Sequence, residues 1–162
     1  MRPDGSSALS QDGRRVAGYF FGQSSFATHA FVSARTAIKV PKDVPLYLLG
    51  PLCCGVITGA GSVLEAFRLR PGESIVVQGT GGVGFSALMA ARLAVASRIV
   101  AVDINSQRLG LALELGATDS VPAGSDTLGA LRGICPVGFD FSLITAQAPQ
   151  LFDTATACLT VQ

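Results

Sequence analysis

The second half of the chain alternates short apolar runs with longer segments in which apolar residues recur at helical spacing. The short runs predict buried strands at Ser74–Gln78, Arg98–Asp103, Ser120–Val121 and Phe139–Thr145. The longer segments predict helices at Gly81–Ala96, Ser106–Leu115, Ser125–Ile134 and Pro149–Leu159. Because alternating strands and helices form βαβ units, this half is predicted to be a parallel sheet covered by helices.

The first half of the chain is less regular. Residues 1–18 are polar and turn-rich, and we predict a loose lead-in there. Apolar residues on both faces predict a strand across Phe26–Val32, and a second short strand is predicted at Ala37–Val40. A short helix is predicted at Pro45–Leu52 and a longer one at Gly55–Leu69.

Length and charge narrow the possible partners. The 162 residues suffice for one domain, or for one domain with a flanking piece. The 12 basic and 11 acidic residues give a net charge of +1, which argues against nucleic acid or an anionic membrane as the main partner. The longest apolar run, Val83–Ser97, is shorter than the ~20 residues of a membrane span. The polar N-terminus does not look like a signal peptide.

The 4 cysteines include an adjacent pair, Cys53 and Cys54, in the glycine-rich run Gly50–Gly61. A loop, a redox pair and a metal ligand are all possible for such a pair. None of the cysteines forms a C-x-x-C motif, and a disulfide between neighbours would be strained. A reduced, cytoplasmic protein fits this usage best.

A glycine cluster follows the first strand of the predicted sheet. Its sequence, GTGGVG at Gly79–Gly84, fits G-x-G-x-x-G and opens a predicted helix, and Asp103 ends the next strand 19 residues later. Together these features form the dinucleotide-binding fingerprint. Gly79 would permit the tight turn, Gly81 the approach of the pyrophosphate, and Gly84 close packing of the helix. Asp103 would bind the ribose hydroxyls and repel a 2′-phosphate, which predicts NAD rather than NADP.

Three segments resemble the zinc-containing, medium-chain alcohol dehydrogenases: CGVITGAGSVL, the stretch from SIVVQGTGGVGF to ELGAT, and FFGQSSFATHAF with KVPKDVPLYLLGPL. The last is most similar to the aryl-alcohol (benzyl-type) branch, and the likeness covers roughly residues 17–145 in order. The resemblance implies an α/β fold, with a partial Rossmann domain, a doubly wound parallel sheet, over residues 44–162. It also implies that residues 1–43 are the tail of a β-rich, GroES-like catalytic domain.

The same resemblance assigns roles to individual residues. Cys54 is in the position of a catalytic zinc ligand of a Cys₂His site, while Cys53 is a small apolar neighbour. Thr58 would lie by the nicotinamide carboxamide and Val83 behind its ring, and Arg108 would reach the adenosine ribose. The predicted catalytic residues are Cys54 and Thr58, and the predicted cofactor-binding residues are Thr58, Gly79, Thr80, Gly81, Gly82, Val83, Gly84, Asp103, Ile104 and Arg108.

The sequence also departs from the family pattern. A Gly-His-Glu motif, a second zinc-ligand cysteine and a lobe of four closely spaced cysteines belong upstream of the matched segments, and the chain has none of them. Its single histidine, His29, is predicted to be a strand side chain rather than a ligand. Four strands are predicted where a full Rossmann sheet has six. The chain is therefore expected to be an internal fragment of a longer enzyme.

The function predicted for the parent enzyme is oxidation of a primary alcohol, aromatic or allylic, to the aldehyde, with NAD and zinc as cofactors. Its partners would be a small-molecule alcohol and aldehyde, without nucleic acid or membrane, and the parent would be a homo-oligomer. One alternative is a zinc-free reductase of the quinone oxidoreductase type, against which Cys54 counts. Another is that this chain, taken alone, is a non-catalytic NAD-binding module.

Overall fold

A computed structural model describes residues 4–7, 9–16, 28–29 and 32–160. The chain divides into two compact units, Met1–Val44 and Pro45–Gln162. The assignment of the first unit to a catalytic domain stays a prediction. All 4 cysteines are unpaired thiols, and Cys53 and Cys54 are both exposed.

The first unit contains a β-hairpin where a loose lead-in was predicted. Strands β1 (Leu9–Gln11) and β2 (Arg14–Val16) pair antiparallel, with Leu9 opposite Val16. Between them Asp12 and Gly13 have φ angles of 51° and 72°. Two successive positive φ angles are those of a type I′ turn, for which Asp-Gly is a favoured pair, so this part of the prediction was wrong.

Neither predicted strand of the first unit is present in its described residues. Thr28 and His29 lie in a bend, and the other residues of Phe26–Val32 are outside the described part except Val32, which is not in a strand. Ala37–Val40 has no regular structure and follows a 3₁₀ helix at Ala34–Thr36. A strand needs a pairing partner, and the only sheet described in this unit is the β1–β2 hairpin.

The second unit is built on a parallel sheet, as predicted. Its strands are β3 (Ser74–Gln78), β4 (Arg98–Asp103), β5 (Asp119–Pro122) and β6 (Phe141–Ile144). They lie in the order β5-β4-β3-β6, with every neighbouring pair parallel. This is the 3-2-1-4 part of the Rossmann strand order, so the predicted fold class is confirmed for these strands.

Helices connect and flank these strands: α1 (Gly55–Gly61), α2 (Gly82–Leu93), α3 (Ser106–Leu115), α4 (Thr127–Ile134) and α5 (Gln150–Ala157). A π-helical turn at Ser62–Ala66 continues α1, so the long helix predicted there ends a little early. Two 3₁₀ helices, Leu46–Leu48 and Gly50–Cys53, replace the single helix predicted at Pro45–Leu52. Pro51, which cannot donate a backbone hydrogen bond, interrupts an α-helix there.

Both faces of the sheet are buried, and successive residues of β3 face opposite sides. Ile75 and Val77 pack with buried residues of α2 and α3 on one face. Val76 packs on the other face with Leu131 of α4 and with Cys158, the residue that caps α5. Because helices cover both faces, the strands can be continuously apolar, which is the pattern seen in the sequence.

No single helix among the described residues is long and apolar enough to cross a membrane. One bent pair, Leu46–Cys53 with Gly55–Ala66, meets the length and composition requirements when its two helices are taken together.

Candidate functional site

A tight glycine turn joins β3 to α2 at the carboxyl edge of the sheet. Gly79 has φ +106°, and its amide donates to the Val102 carbonyl at 2.7 Å. A Cβ on Gly79 would lie 2.7 Å from Thr145 Oγ1, and a Cβ on Gly84 would run into the Gly79 carbonyl oxygen. Glycine is therefore required at both positions, for the reasons that the sequence motif predicts.

The N-terminus of α2 is open and uncapped. Gly81, the residue at the N-cap position, makes no side-chain cap, whereas Asn105 caps α3 by accepting from the amides of Gln107 and Arg108. A Cβ on Gly81 or on Gly82 would meet no atom within 4 Å. Free amides at the positive end of a 12-residue helix, with open space before them, are suited to an anionic group.

Asp103 ends β4 beside this turn and is held by three hydrogen bonds. Its Oδ2 accepts from the Thr80 amide at 2.7 Å and from the Thr80 hydroxyl at 2.8 Å. Its Oδ1 accepts from the Asn105 amide at 2.9 Å. Only 7% of the Asp103 surface is exposed, and Thr80 is fully buried.

The environment of Asp103 favours the charged carboxylate. Burial alone would raise the pKa of Asp103. The amides of Thr80 and Asn105, the Thr80 hydroxyl and the charge of Arg108 together lower this pKa below its ordinary value. The Arg108 guanidinium nitrogen Nη1 is 4.0 Å from Asp103 Oδ2, and about half of its side chain is exposed.

Ile104 follows Asp103 and is 88% exposed, so it presents an apolar surface directly outside the carboxyl end of β4. Ligands of open α/β sheets bind at this edge, where the strand order reverses. From β3 the chain runs through β4 to β5 and then returns to β6 on the other side of β3, so the Gly79 turn is at such a reversal.

Helix α1 carries the other two predicted site residues and packs directly on α2. Cys54 is the N-cap residue of α1, and Thr58 lies one turn further on, its amide donating to the Cys54 carbonyl at 2.9 Å. Both side chains are exposed. A Cβ on Gly59 would run into the Val83 carbonyl oxygen and lie 2.9 Å from the Ala87 amide nitrogen. The absence of a side chain at Gly59 therefore lets α1 lie against the start of α2.

The described residues do not form a metal centre. Within the part of the chain that the structure describes, no group of three or more His, Cys, Asp or Glu side chains could hold an ion. Cys54 is exposed at the start of α1 and has no partner ligand among those residues. A catalytic zinc is held by three protein ligands, so the residues present do not make up a zinc site.

The family model described as zinc-binding dehydrogenase matches residues 82–162. The chain belongs to the zinc-binding dehydrogenase family. The geraniol dehydrogenase of Castellaniella defragrans is 43% identical to it over 160 residues, which are 98% of this chain and 43% of that protein. A probable alcohol dehydrogenase of a Pseudomonas species is 42% identical over 131 residues, 79% of this chain and 41% of that protein.

Solved structures of similar proteins agree with this family assignment. An alcohol dehydrogenase zinc-binding domain protein from Burkholderia ambifaria has a TM-score of 0.89 and 45% identity, covering 98% of this chain and 44% of that one. The benzyl alcohol dehydrogenase of Acinetobacter calcoaceticus has a TM-score of 0.84 and 41% identity, covering 96% and 44%. The chain thus spans less than half the length of the relatives it matches.

Sequence reasoning placed the glycine turn, Asp103 and Arg108 at one edge, and the structure brings them together there. It did not foresee that Thr80 binds Asp103, nor that Thr145 donates to the Gly79 carbonyl at 2.7 Å. The position of Thr145, the last residue of the predicted strand Phe139–Thr145, was a usable signal, because the carboxyl ends of parallel strands share one edge. The packing of Gly59 had no such signal, since a glycine in a helix has many explanations.

Proposed function

We propose that the full-length protein to which this chain corresponds is an NAD-dependent alcohol dehydrogenase, and that this chain supplies its NAD-binding domain. The observation that supports this most strongly is the placement of Asp103, a buried and charged carboxylate, beside the open N-terminus of α2. An anion site and a ribose acceptor at one strand edge are the two requirements of a dinucleotide site.

The residues present fit NAD. In this proposal the pyrophosphate lies against the amides at the start of α2, in the open space above Gly81 and Gly82. Asp103 accepts from a hydroxyl of the adenosine ribose, and Arg108 approaches the same ribose. The exposed side chain of Ile104 packs against the adenosine. NAD would supply the chemistry by accepting hydride, and the chain would supply binding and orientation.

The number of unused acceptor lone pairs on the Asp103 carboxylate bears on the choice of cofactor. A carboxylate has about four lone-pair sites, and three of those of Asp103 already accept hydrogen bonds. One site on Oδ1 is left for the ribose, so one direct bond is available. A charge-assisted bond is worth about 1.5–3 kcal/mol, and a 2′-phosphate would replace it by repulsion. NAD should therefore bind about 100-fold more tightly than NADP, or about 2.7 kcal/mol.

Zinc would require ligands from elsewhere in the full-length protein. Cys54 is in the position of one ligand by resemblance, and the described residues bring no second and third ligand to it. In the proposal Cys54 contributes its thiolate to a site completed by other segments, and Thr58 and Val83 lie beside the nicotinamide.

The proposed substrate class is primary alcohols whose carbinol carbon adjoins a double bond or an aromatic ring. The similar proteins named geraniol dehydrogenase and benzyl alcohol dehydrogenase support this, since geraniol is allylic and benzyl alcohol is aromatic. The proposal further places residues 1–43 in the catalytic domain of a homo-oligomeric, cytoplasmic parent. An NAD-binding module without catalysis remains the second candidate for this chain alone, because its described residues lack a ligand cluster.

Calorimetric titration of the purified chain with NAD and NADP tests the cofactor proposal, with Asp103→Ala as the variant. Asp140→Ala is a matched control, because Asp140 Oδ2 likewise accepts from an amide and a hydroxyl of one residue, Ser74, at the opposite edge of the sheet. We expect Asp103→Ala to weaken the binding of NAD and to narrow the preference for NAD over NADP. We expect Asp140→Ala to leave this preference unchanged. Equal affinity of the unmodified chain for both cofactors would contradict the proposal. Oxidation of geraniol and benzyl alcohol by the full-length protein tests the substrate class.

A further inference from the structure

We infer that Thr80 is a positioning residue for cofactor selection, which acts on the dinucleotide only through Asp103. The inference rests on the proposed NAD site. Thr80 occupies the variable position between the first two glycines of the motif, where the motif itself requires no particular side chain. The structure gives that side chain a specific task.

Thr80 cannot contact a cofactor directly in this structure. It has no exposed surface, and its hydroxyl and its amide both point to Asp103 Oδ2, at 2.8 Å and 2.7 Å. A single residue of the phosphate-binding turn therefore holds one oxygen of the carboxylate at the end of the neighbouring strand.

The two Thr80 donors fix which carboxylate oxygen is free. Oδ2 accepts two hydrogen bonds and has Arg108 at 4.0 Å, so it is fully engaged. Oδ1 accepts only from the Asn105 amide at 2.9 Å and keeps one lone pair. With donors on both oxygens the plane of the carboxylate is set, and Oδ1 is the oxygen presented to a ligand. Without the Thr80 hydroxyl, each oxygen would keep one amide donor and one unused lone pair, so the carboxylate would no longer present Oδ1 alone to a ligand.

The chain contains a second contact of the same kind that serves as a control. At the opposite edge of the sheet, the amide and hydroxyl of Ser74 both donate to Asp140 Oδ2 at 2.7 Å. Ser74→Ala thus removes a hydroxyl that donates to a carboxylate in the same way, and that also accepts from the Asp140 amide, at the edge opposite the carboxyl ends of the strands. It should lower stability without changing cofactor preference, whereas a hydroxyl that positions Asp103 should change that preference.

The experiment is calorimetric titration of the purified chain with NAD and with NADP. The variants are Thr80→Val, Thr80→Ser, Ser74→Ala, Asp103→Ala and the double variant Thr80→Val with Asp103→Ala. We expect Thr80→Val to reduce the ratio of NAD to NADP affinity about tenfold, since one charge-assisted bond no longer orients the carboxylate. Thr80→Ser should restore the unmodified ratio, and Ser74→Ala should not alter it. In the Asp103→Ala background, Thr80→Val should have no further effect on the ratio.

The outcomes distinguish failure of this inference from failure of the proposed function. A preference for NAD that survives Thr80→Val unchanged would overturn the inference and leave the proposed site intact. A tenfold effect of Thr80→Val that persists in the Asp103→Ala background would also overturn it, because Thr80 would then act independently of Asp103. Equal affinity of the unmodified chain for both cofactors would overturn the proposed function and the inference together. If Thr80→Val does not fold by circular dichroism, Thr80→Ala provides a second variant without the hydroxyl.

Discussion

The hydroxyl of Thr145, which follows β6, is expected to stabilise the glycine turn by donating to the Gly79 carbonyl. Thr145 Oγ1 donates to the Gly79 carbonyl oxygen at 2.7 Å, the closest bond to that carbonyl in the described part of the chain. Gly79 is buried, so loss of the donor leaves a carbonyl without a partner. Thr145→Val keeps the shape of the side chain and replaces the hydroxyl by a methyl group.

The cost of this change can be worked out from the contact. An unsatisfied buried acceptor costs about 1–3 kcal/mol. A methyl group in the place of the hydroxyl would also be too close to the Gly79 carbonyl oxygen, and this steric strain adds to the cost. We therefore expect Thr145→Val to lower the free energy of unfolding by about 2 kcal/mol. At ~3 °C per kcal/mol for a chain of this size, the melting temperature should fall by about 6 °C.

Thermal unfolding followed by circular dichroism measures this loss. Thr156→Val is the matched control, since Thr156 is exposed on α5 and its hydroxyl bonds only to carbonyls of its own helix. The control should change stability by less than about 0.5 kcal/mol. If Thr145→Val melted within a degree of the unmodified chain, the turn would not depend on this hydroxyl and the reasoning would be refuted.

Three further predictions concern the loss of stability at low pH, the zinc content of the chain and the packing of α1 on α2. Because the pKa of Asp103 is lowered in the folded state, its stabilisation is full above about pH 4 and is lost as pH falls through the folded-state pKa. The stability deficit of Asp103→Asn in urea unfolding should thus be larger at pH 7 than at pH 3, and an equal deficit would contradict this. Elemental analysis of the dialysed chain should find less than one equivalent of zinc; stoichiometric zinc that Cys54→Ser abolishes would show that the chain contains further zinc ligands. Gly59→Ala should lower the free energy of unfolding by about 1–3 kcal/mol, because the added Cβ would run into α2. Gly61→Ala should not lower it, because a Cβ there meets no atom within 4 Å. Equal melting temperatures for the two variants would refute the packing argument.

Sequence reasoning was most accurate where local pattern and tertiary burial agree. β3, β4 and α3 have the predicted bounds, because each is an apolar run or a periodic segment between strong turn or cap residues, such as Asn105 before α3 and Gly116 after it. The motif rule also anticipated close packing of the helix at Gly84, where a Cβ would run into the Gly79 carbonyl oxygen. These features are encoded within a few residues of one another.

The failures have a different physical origin. The predicted strand at Ala37–Val40 is unpaired in the structure, and pairing depends on which segments meet rather than on local composition. The β1–β2 hairpin was missed although Asp12-Gly13 is a turn signal, because the residues beside the turn, Gln11 and Arg14, are polar and both strands are short and exposed. The bond from Thr80 to Asp103 joins residues 23 positions apart in the chain. This contact depends on the sheet register, which places the ends of β3 and β4 side by side.

The central claim is that a dinucleotide binds at the carboxyl edge of the sheet, on the N-terminus of α2. Titration of the ¹⁵N-labelled chain with NAD, followed by amide chemical shifts, tests this most directly. The account predicts saturable shifts that are largest at the amides of Gly81, Gly82 and Val83 and extend to Asp103 and Ile104. The amides of Ser74 and Asp140, at the opposite edge of the same sheet, should be unaffected and serve as an internal reference. Absence of saturable shifts, or shifts that are largest away from α2 and the end of β4, would contradict the account.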